Sequence, residues 1–156
     1  LNNSRSELEL ITKDLAANVF ANCPNITEII IEDGNEFFFE IDHLIYRKAS
    51  ATSTYYTLVV ANRNFNGVAT ILKDTTGTLS SIDASAFIDT TLSGIRFTTS
   101  AHITYVSDTL FDKVPEGFKV YIPNGQTNYF VGMYNTKWSA AFKALVSTMI
   151  VEDEAQ

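Results

Sequence analysis

Residues 82–97 read IDASAFIDTTLSGIRF, and residues 106–122, VSDTLFDKVPEGFKVYI, follow the same order of apolar and turn residues. In both segments an aliphatic residue precedes a phenylalanine, Phe87 or Phe111, by five positions. Residues 15–31, LAANVFANCPNITEIII, place Phe20 in the same pattern. Alternate apolar residues after a turn are typical of a short strand with one buried face. The recurring positions are Leu15, Ile82 and Val106 before the phenylalanine, and Ile29, Ile31, Ile95, Phe97, Val120 and Ile122 after it.

The spacing of these segments predicts a stack of coils. The interval from Phe87 to Phe111 has the length at which one strand and one turn complete a coil that buries its apolar edge only against neighbouring coils. The interval from Phe20 to Phe87 is much longer, which leaves room for an insertion. The β-formers in residues 37–46 and 55–60 predict a hairpin there, at about 37–60, followed by a strand at about 68–72.

Composition favours one β-rich globular domain over residues 1–156. Ile, Val, Phe, Tyr and Thr together greatly outnumber Leu, and 46% of the chain is apolar, which argues against a disordered chain. The apolar residues are too evenly spread for a membrane span. The net charge of -7 argues against nucleic-acid binding, which needs a positive surface. Because the chain starts at Leu1 without a signal segment, we expect it to be a piece of a longer protein.

Both ends have patterns of helical caps. Ser4 and Glu7 form a capping-box pattern before an apolar helical spacing, which predicts a helix at 5–13 inside an N-terminal cap at 1–13. Residues 14–123 would hold the repeats. An apolar stripe with helical spacing after a candidate N-cap, Thr136, predicts a C-terminal cap at 124–150. The stripe consists of Trp138, Ala141, Phe142 and Leu145.

Several strings resemble the BspA-like class of bacterial leucine-rich repeats: VFANCPNITEIII, SIDASAFIDTTLSGIRF and YVSDTLF for the repeats, DGNEFFFEIDHLIYRK with YYTLVVA for the hairpin, and KVYIPNGQTNYFVGMYNTKWSAAF for the final coil. The resemblance implies a β-rich α/β solenoid, a short leucine-rich-repeat array with a β-hairpin insertion and helical caps. It further implies the C-terminal repeat segment of a secreted or cell-surface bacterial protein that attaches to other macromolecules.

No motif in the chain indicates catalysis, a metal or a cofactor. His43 and His102 lie far apart in the sequence, without a zinc or EF-hand pattern, and no nucleophile elbow or phosphate loop is present. The lone Cys23 is expected to be buried and inert. Glu28 and Glu32 fit solvated strand charges, although a paired-carboxylate hydrolase stays open. We therefore expect no enzyme, no metal and no cofactor.

Candidate ligand-binding residues lie on the predicted outward side of the strands. If Ile29, Ile95 and Val120 are equivalent inward positions, their neighbours form an outward ladder. Tyr and Arg are favoured at binding hot spots, but the same residues also fit ordinary cross-strand packing on a half-exposed sheet. The hairpin offers a second patch. The candidates are Glu28, Ile30, Arg96, Lys119 and Tyr121 on the ladder, and Tyr55 and Tyr56 on the hairpin.

The leading hypothesis is a non-enzymatic binding or adhesion module, extracellular or at the cell surface. Its expected partner is a host or neighbouring-cell macromolecule, either a protein or a glycan, with no nucleic acid and no membrane insertion. One alternative is a structural spacer or capping segment with no ligand of its own. Another is a small hydrolase or glycan-processing domain. The sequence leaves the ligand and the oligomeric state open.

Overall fold

The computed structural model describes residues 7–10, 20, 23–98, 106–133 and 137–153. Within them the chain forms ten strands and two helices. The strands are β1 Glu7–Leu10, β2 Glu28–Ile31, β3 Phe38–Ile41, β4 Leu44–Lys48, β5 Tyr55–Ala61, β6 Val68–Thr70, β7 Thr78–Ile82, β8 Gly94–Arg96, β9 Lys119–Pro123 and β10 Ile150–Asp153. The helices are α1 Thr127–Met133 and α2 Ala140–Met149.

One four-stranded sheet is parallel throughout, in the order β10-β9-β8-β6. Ala69, Ile95, Val120 and Ile150 lie side by side across its four strands. The first three of these are fully buried. Because side chains alternate between the two faces of a strand, this row marks the inner face of the sheet.

The central sheet is mixed, in the order β3-β4-β5-β7, with antiparallel β3-β4 and β4-β5 pairs and a parallel β5-β7 pair. A two-residue turn joins β3 to β4, and its residues Asp42 and His43 both have positive φ, 49° and 66°. Two positive φ values suit the twist of a tight hairpin. The Asp42 carboxylate also accepts a hydrogen bond from the Thr70 backbone N–H at 2.6 Å, which ties this turn to β6.

A third, two-stranded sheet pairs β1 with β2 in parallel. Asn62 joins β2 to the rest of the molecule. Its side-chain Oδ1 accepts a hydrogen bond from the Ile29 N–H at 2.9 Å, and its Nδ2 donates to the Ile29 carbonyl at 2.8 Å. The amide thus bonds Ile29 as a neighbouring strand would.

Two apolar clusters form the core of the part of the chain that the structure describes. The larger contains a row of aromatic rings, in which Phe87 stacks on Phe111 at 6.0 Å and Phe111 stacks on Phe142 of α2 at 5.8 Å. The smaller cluster packs β2 against the central sheet and includes Phe20 and Cys23. Cys23 is buried, as expected.

The predicted fold class, a β-rich α/β solenoid with a leucine-rich-repeat array, is wrong. The strands fall into three sheets of two, four and four strands, one of them mixed, with only two short helices among the described residues. The hairpin predicted at about 37–60 does form, because β4 and β5 pair antiparallel. It is not an insertion, since β3, β4 and β5 supply three of the four strands of the central sheet. The repeated apolar pattern marks buried positions and turns, but it does not determine which strands pair.

The predicted caps also need correction. The helix expected at 5–13 is wrong, because Glu7–Leu10 is the strand β1, paired with β2. A helix does form near the other end, but the N-cap of α2 is Ser139, whose hydroxyl accepts a hydrogen bond from the Phe142 N–H at 3.1 Å. Thr136 lies outside the described residues. The buried residues of α2 are Phe142, Val146 and Met149, whereas Leu145 is exposed.

Phe87 is a direct test of this core because its side chain is fully buried between other aromatic rings. We expect Phe87→Ala to lower the free energy of unfolding by about 3–5 kcal/mol, the usual range for a phenylalanine removed from a core. Urea denaturation followed by circular dichroism measures the loss. Tyr129→Ala, at an exposed aromatic, is the control and should stay within about 0.5 kcal/mol. A loss at Phe87 below about 1 kcal/mol would contradict the packing.

Asp83 gives a pH-dependent prediction. Burial raises the pKa of this carboxyl, and the positive charge of Arg47 opposes part of that rise. The folded state therefore keeps a proton that the unfolded chain has already released, so stability falls as pH rises from the unfolded pKa of about 3.9 through the folded one. Asp83→Asn should raise the melting temperature near pH 7 and leave it unchanged near pH 3. Asp112→Asn, at an exposed site, is the control; an equal gain at both pH values would refute the linkage.

Candidate binding site

The outer face of the parallel sheet gathers side chains from all four of its strands. Thr70, Arg96, Tyr121 and Val151 lie side by side in one row. They follow directly after the row of inner residues, so their side chains point to the opposite face. The row is partly exposed throughout, and Val151 has 36% of its surface exposed.

Arg96 is held in place by two neighbours on this face. Its guanidinium lies over the Tyr121 ring, 5.0 Å from the ring centre. Its Nη2 and Nε atoms lie 2.8 Å and 2.9 Å from one oxygen of the Asp153 carboxylate. The charged group therefore bridges β8, β9 and β10 in a fixed orientation, and the aromatic contact and the ion pair support each other.

Gly94 makes this arrangement possible. A Cβ atom there would lie 2.6 Å from the Lys119 carbonyl oxygen and 3.3 Å from the Tyr121 ring. The first distance is too short for any side chain, and the atom in the way belongs to the backbone of β9. Glycine thus lets β8 and β9 pair closely while the tyrosine ring lies against the bare backbone.

Beside the sheet, Glu152 fixes the end of β10 to α1. Its carboxylate accepts a hydrogen bond from the Thr127 hydroxyl at 2.6 Å. That bond, together with backbone N–H groups of Gly125 and Thr127, lowers the pKa of the Glu152 carboxyl. The strand that carries Val151 and Asp153 is therefore anchored to the neighbouring helix.

We call the residues joined by these contacts the binding face. It combines a fixed cation, a second cation, an aromatic ring, an apolar side chain, a hydroxyl and a carboxylate on one face of the sheet. The binding face consists of Thr70, Arg96, Lys119, Tyr121, Val151 and Asp153.

Three of the sequence candidates, Arg96, Lys119 and Tyr121, are brought together here. Glu28 and Ile30 are not, because both belong to β2 in the two-stranded sheet. The predicted ladder that joined Ile30 to Arg96 and Tyr121 is therefore wrong. The apolar spacing of β2 resembles that of β8 and β9, which led to the predicted alignment of the three strands. In the structure β2 belongs to a different sheet.

The two hairpin candidates lie on β5 in the central sheet and do not act together. Tyr55 has 58% of its surface exposed. Tyr56 packs its ring against Phe39 at 4.8 Å and covers Gly77. Neighbouring residues of a strand face opposite ways, so only Tyr55 offers an open surface.

Sequence reasoning missed Thr70, Val151 and Asp153. Thr70 lies in a predicted strand but was not aligned with the outward positions. Val151 and Asp153 lie in β10, beyond the C-terminal cap predicted at 124–150. The β-branched pair Ile150 and Val151 after the helix was the signal for this strand.

No three His, Cys, Asp or Glu side chains among the described residues are placed to hold a metal ion. The His43 ring stacks on Phe65 at 4.0 Å, while His102 lies outside the described residues. In the part of the chain that the structure describes, neither helix has the length and apolar character to cross a membrane.

No match to this chain came from family models, from curated proteins or from solved structures. No relative therefore supplies a function, and the case for one depends on the geometry of the binding face.

Gly94→Ala tests whether the binding face depends on close strand pairing. The added methyl would meet the Lys119 carbonyl at 2.6 Å, so we expect a loss of about 1–3 kcal/mol in unfolding free energy. Gly132→Ala in α1 is the matched control, since its methyl group would meet nothing within 4 Å outside the helix backbone, and it should gain about 0.5–1 kcal/mol. Denaturation curves for both proteins measure the difference. A neutral Gly94→Ala would contradict the described contact.

Proposed function

We propose that this chain is a non-enzymatic binding module and that its binding face contacts a protein. The observation that carries the proposal is the fixed Arg96, stacked on Tyr121 and paired with Asp153. Arginine and tyrosine are enriched where binding energy concentrates. A side chain that is already ordered loses less entropy on binding.

Arg96 also favours a protein over a glycan as the partner. Sugar rings bind aromatic residues by lying flat on an open ring face. On this surface the guanidinium lies over the Tyr121 ring, and the ring also lies against Gly94. A sheet face that mixes both charges with the exposed Val151 suits a complementary protein surface better.

We propose an extracellular or cell-surface setting, with a host or neighbouring-cell protein as the partner. This setting is taken from the sequence strings that resemble BspA-like proteins; the leucine-rich-repeat fold that the same resemblance implied is not the observed one. The geometry supports the binding role independently of that setting, because the binding face is argued from its own contacts.

Capture by the immobilised chain tests this function. A panel of purified host-matrix and bacterial surface proteins is passed over wild type, Arg96→Glu and Arg96→Met. A partner should bind wild type and lose at least about tenfold in affinity with Arg96→Glu, the scale of a hot-spot residue. Arg96→Met keeps apolar contact with Tyr121 but removes the positive charge. It therefore separates the contribution of the charge to binding from the contribution of packing on the ring.

Lys113→Glu is the matched control for charge, because Lys113 is exposed and belongs to none of the strands of the parallel sheet. It should leave capture unchanged, and circular dichroism confirms that each variant is folded. Capture of a partner by wild type and Arg96→Glu alike would place binding elsewhere on the chain. Capture of nothing across the panel would favour the alternative of a spacer segment.

A further inference from the structure

A groove of about 410 Å³ runs between β2 and β3. Neither strand belongs to the parallel sheet that carries the binding face. Residues 28–35, 38–40 and Asn62 line it. One wall is β2 with the turn that follows it, where Gly34 has φ of 84°. The other wall is β3, the edge strand of the central sheet. The groove therefore lies along an open sheet edge.

The backbone of β3 presents unbonded groups to this groove. In an antiparallel pair, residues that bond the neighbouring strand alternate with residues that do not. The two-residue turn and the 2.7 Å hydrogen bond from the Lys48 N–H to the Phe37 carbonyl show which residues of β3 bond β4. The backbone groups of Phe39 and Ile41 thus face β4, while those of Phe38 and Glu40 face the groove. The Asn35 side-chain oxygen accepts a hydrogen bond from the Phe38 N–H at 2.8 Å. The Phe38 carbonyl and both backbone groups of Glu40 have no bonding partner among the described residues.

The side chains at the groove indicate what could pair with that edge. Glu28, Glu32, Asp33 and Glu40 contribute four carboxylates. Asparagine amides hold two of them, with Asn64 donating to Glu28 at 3.1 Å and Asn62 donating to Glu40 at 2.6 Å. No lysine or arginine of the described chain pairs with any of the four. An approaching segment with positive charge would supply the missing counter-charge.

We propose that this groove binds an extended basic peptide segment, which adds as a strand to the open edge of β3. Backbone hydrogen bonds to Phe38 and Glu40 would give the segment its register, as in other cases of strand addition. Side chains of such a strand alternate. Basic residues would face the carboxylates, and apolar residues between them would contact the half-buried Phe39.

A second copy of this chain is a poor occupant of the same edge. Edge strands do pair between copies in many proteins. Here that pairing would bring two sets of four carboxylates together on chains of net charge -7, which is repulsive. The charge of the groove therefore favours a basic partner over self-association.

Fluorescence anisotropy with a labelled short peptide that alternates lysine and valine tests the proposal on the full chain. We expect saturable binding that weakens with added salt, because exposed charges are screened. Two control peptides separate the contributions. One alternates glutamate and valine and should not bind. The other keeps every lysine but carries N-methyl groups on all of its backbone amides, so neither of its edges can donate hydrogen bonds to β3, and it should bind at least about tenfold more weakly.

Protein variants locate the peptide. The double variant Glu32→Lys, Asp33→Lys reverses two exposed charges of the groove and should weaken binding at least about fivefold. The matched control Asp112→Lys, Glu116→Lys makes the same charge change at exposed residues elsewhere and should change affinity less than about twofold. Arg96→Glu should leave peptide binding intact, so this result is independent of the proposed binding face.

Three results would overturn the proposal. Absence of binding by the lysine–valine peptide would remove the site. Equal binding of the N-methylated peptide would show attraction by charge alone without strand addition. Sedimentation showing a dimer that Glu32→Lys, Asp33→Lys changes would assign the edge to a second copy.

Discussion

The side-chain amide of Asn62 is the contact on which the arrangement of the N-terminal half depends. It bonds both backbone groups of Ile29 and also donates to the Glu40 carboxylate, while the Asn62 backbone N–H donates to the His43 carbonyl at 2.8 Å. One buried residue thus joins β2, β3 and the β3-β4 turn. A buried amide of this kind is favourable only when its polar groups are satisfied, and here the neighbouring backbone does that.

The next residue, Arg63, extends the same junction. Its buried guanidinium donates to the carbonyls of Phe20, Cys23 and Ile26 in one turn and of Ile88 in another. Burial lowers the pKa of Arg63, and the nearby Asp89 works against that effect. Burying a backbone carbonyl of a turn without a hydrogen-bond donor would lower the stability of the fold. A single guanidinium with several donors can satisfy carbonyls from two turns at once, which fixes those turns relative to each other.

These junctions explain how far the sequence predicts the structure. The apolar pattern identifies Phe20, Phe87 and Phe111 as core residues, and all three are buried. It also places Arg96 and Tyr121 together on an outer face, because both lie in strands of the same sheet with the same spacing. It fails for Ile30, whose strand is attached through an asparagine side chain rather than through the parallel sheet. No periodicity in the chain signals that Asn62 takes the place of a strand, since its partners are distant in the sequence.

The junction also accounts for the contrast between the two surfaces. On the binding face, each strand of the parallel sheet pairs with its neighbour, so recognition there falls to side chains such as Arg96 and Tyr121. In the groove, Asn62 bonds β2 at Ile29 and holds Glu40, but a side-chain amide is too short to continue the pairing along β3. Beyond it, the Phe38 carbonyl and both backbone groups of Glu40 have no bonding partner among the described residues. The carboxylates beside them also lack a basic partner among those residues. An asparagine side chain in place of a strand thus joins β2 to β3 and leaves backbone groups of β3 available to the proposed peptide, whereas the proposed contacts of the binding face are made by side chains.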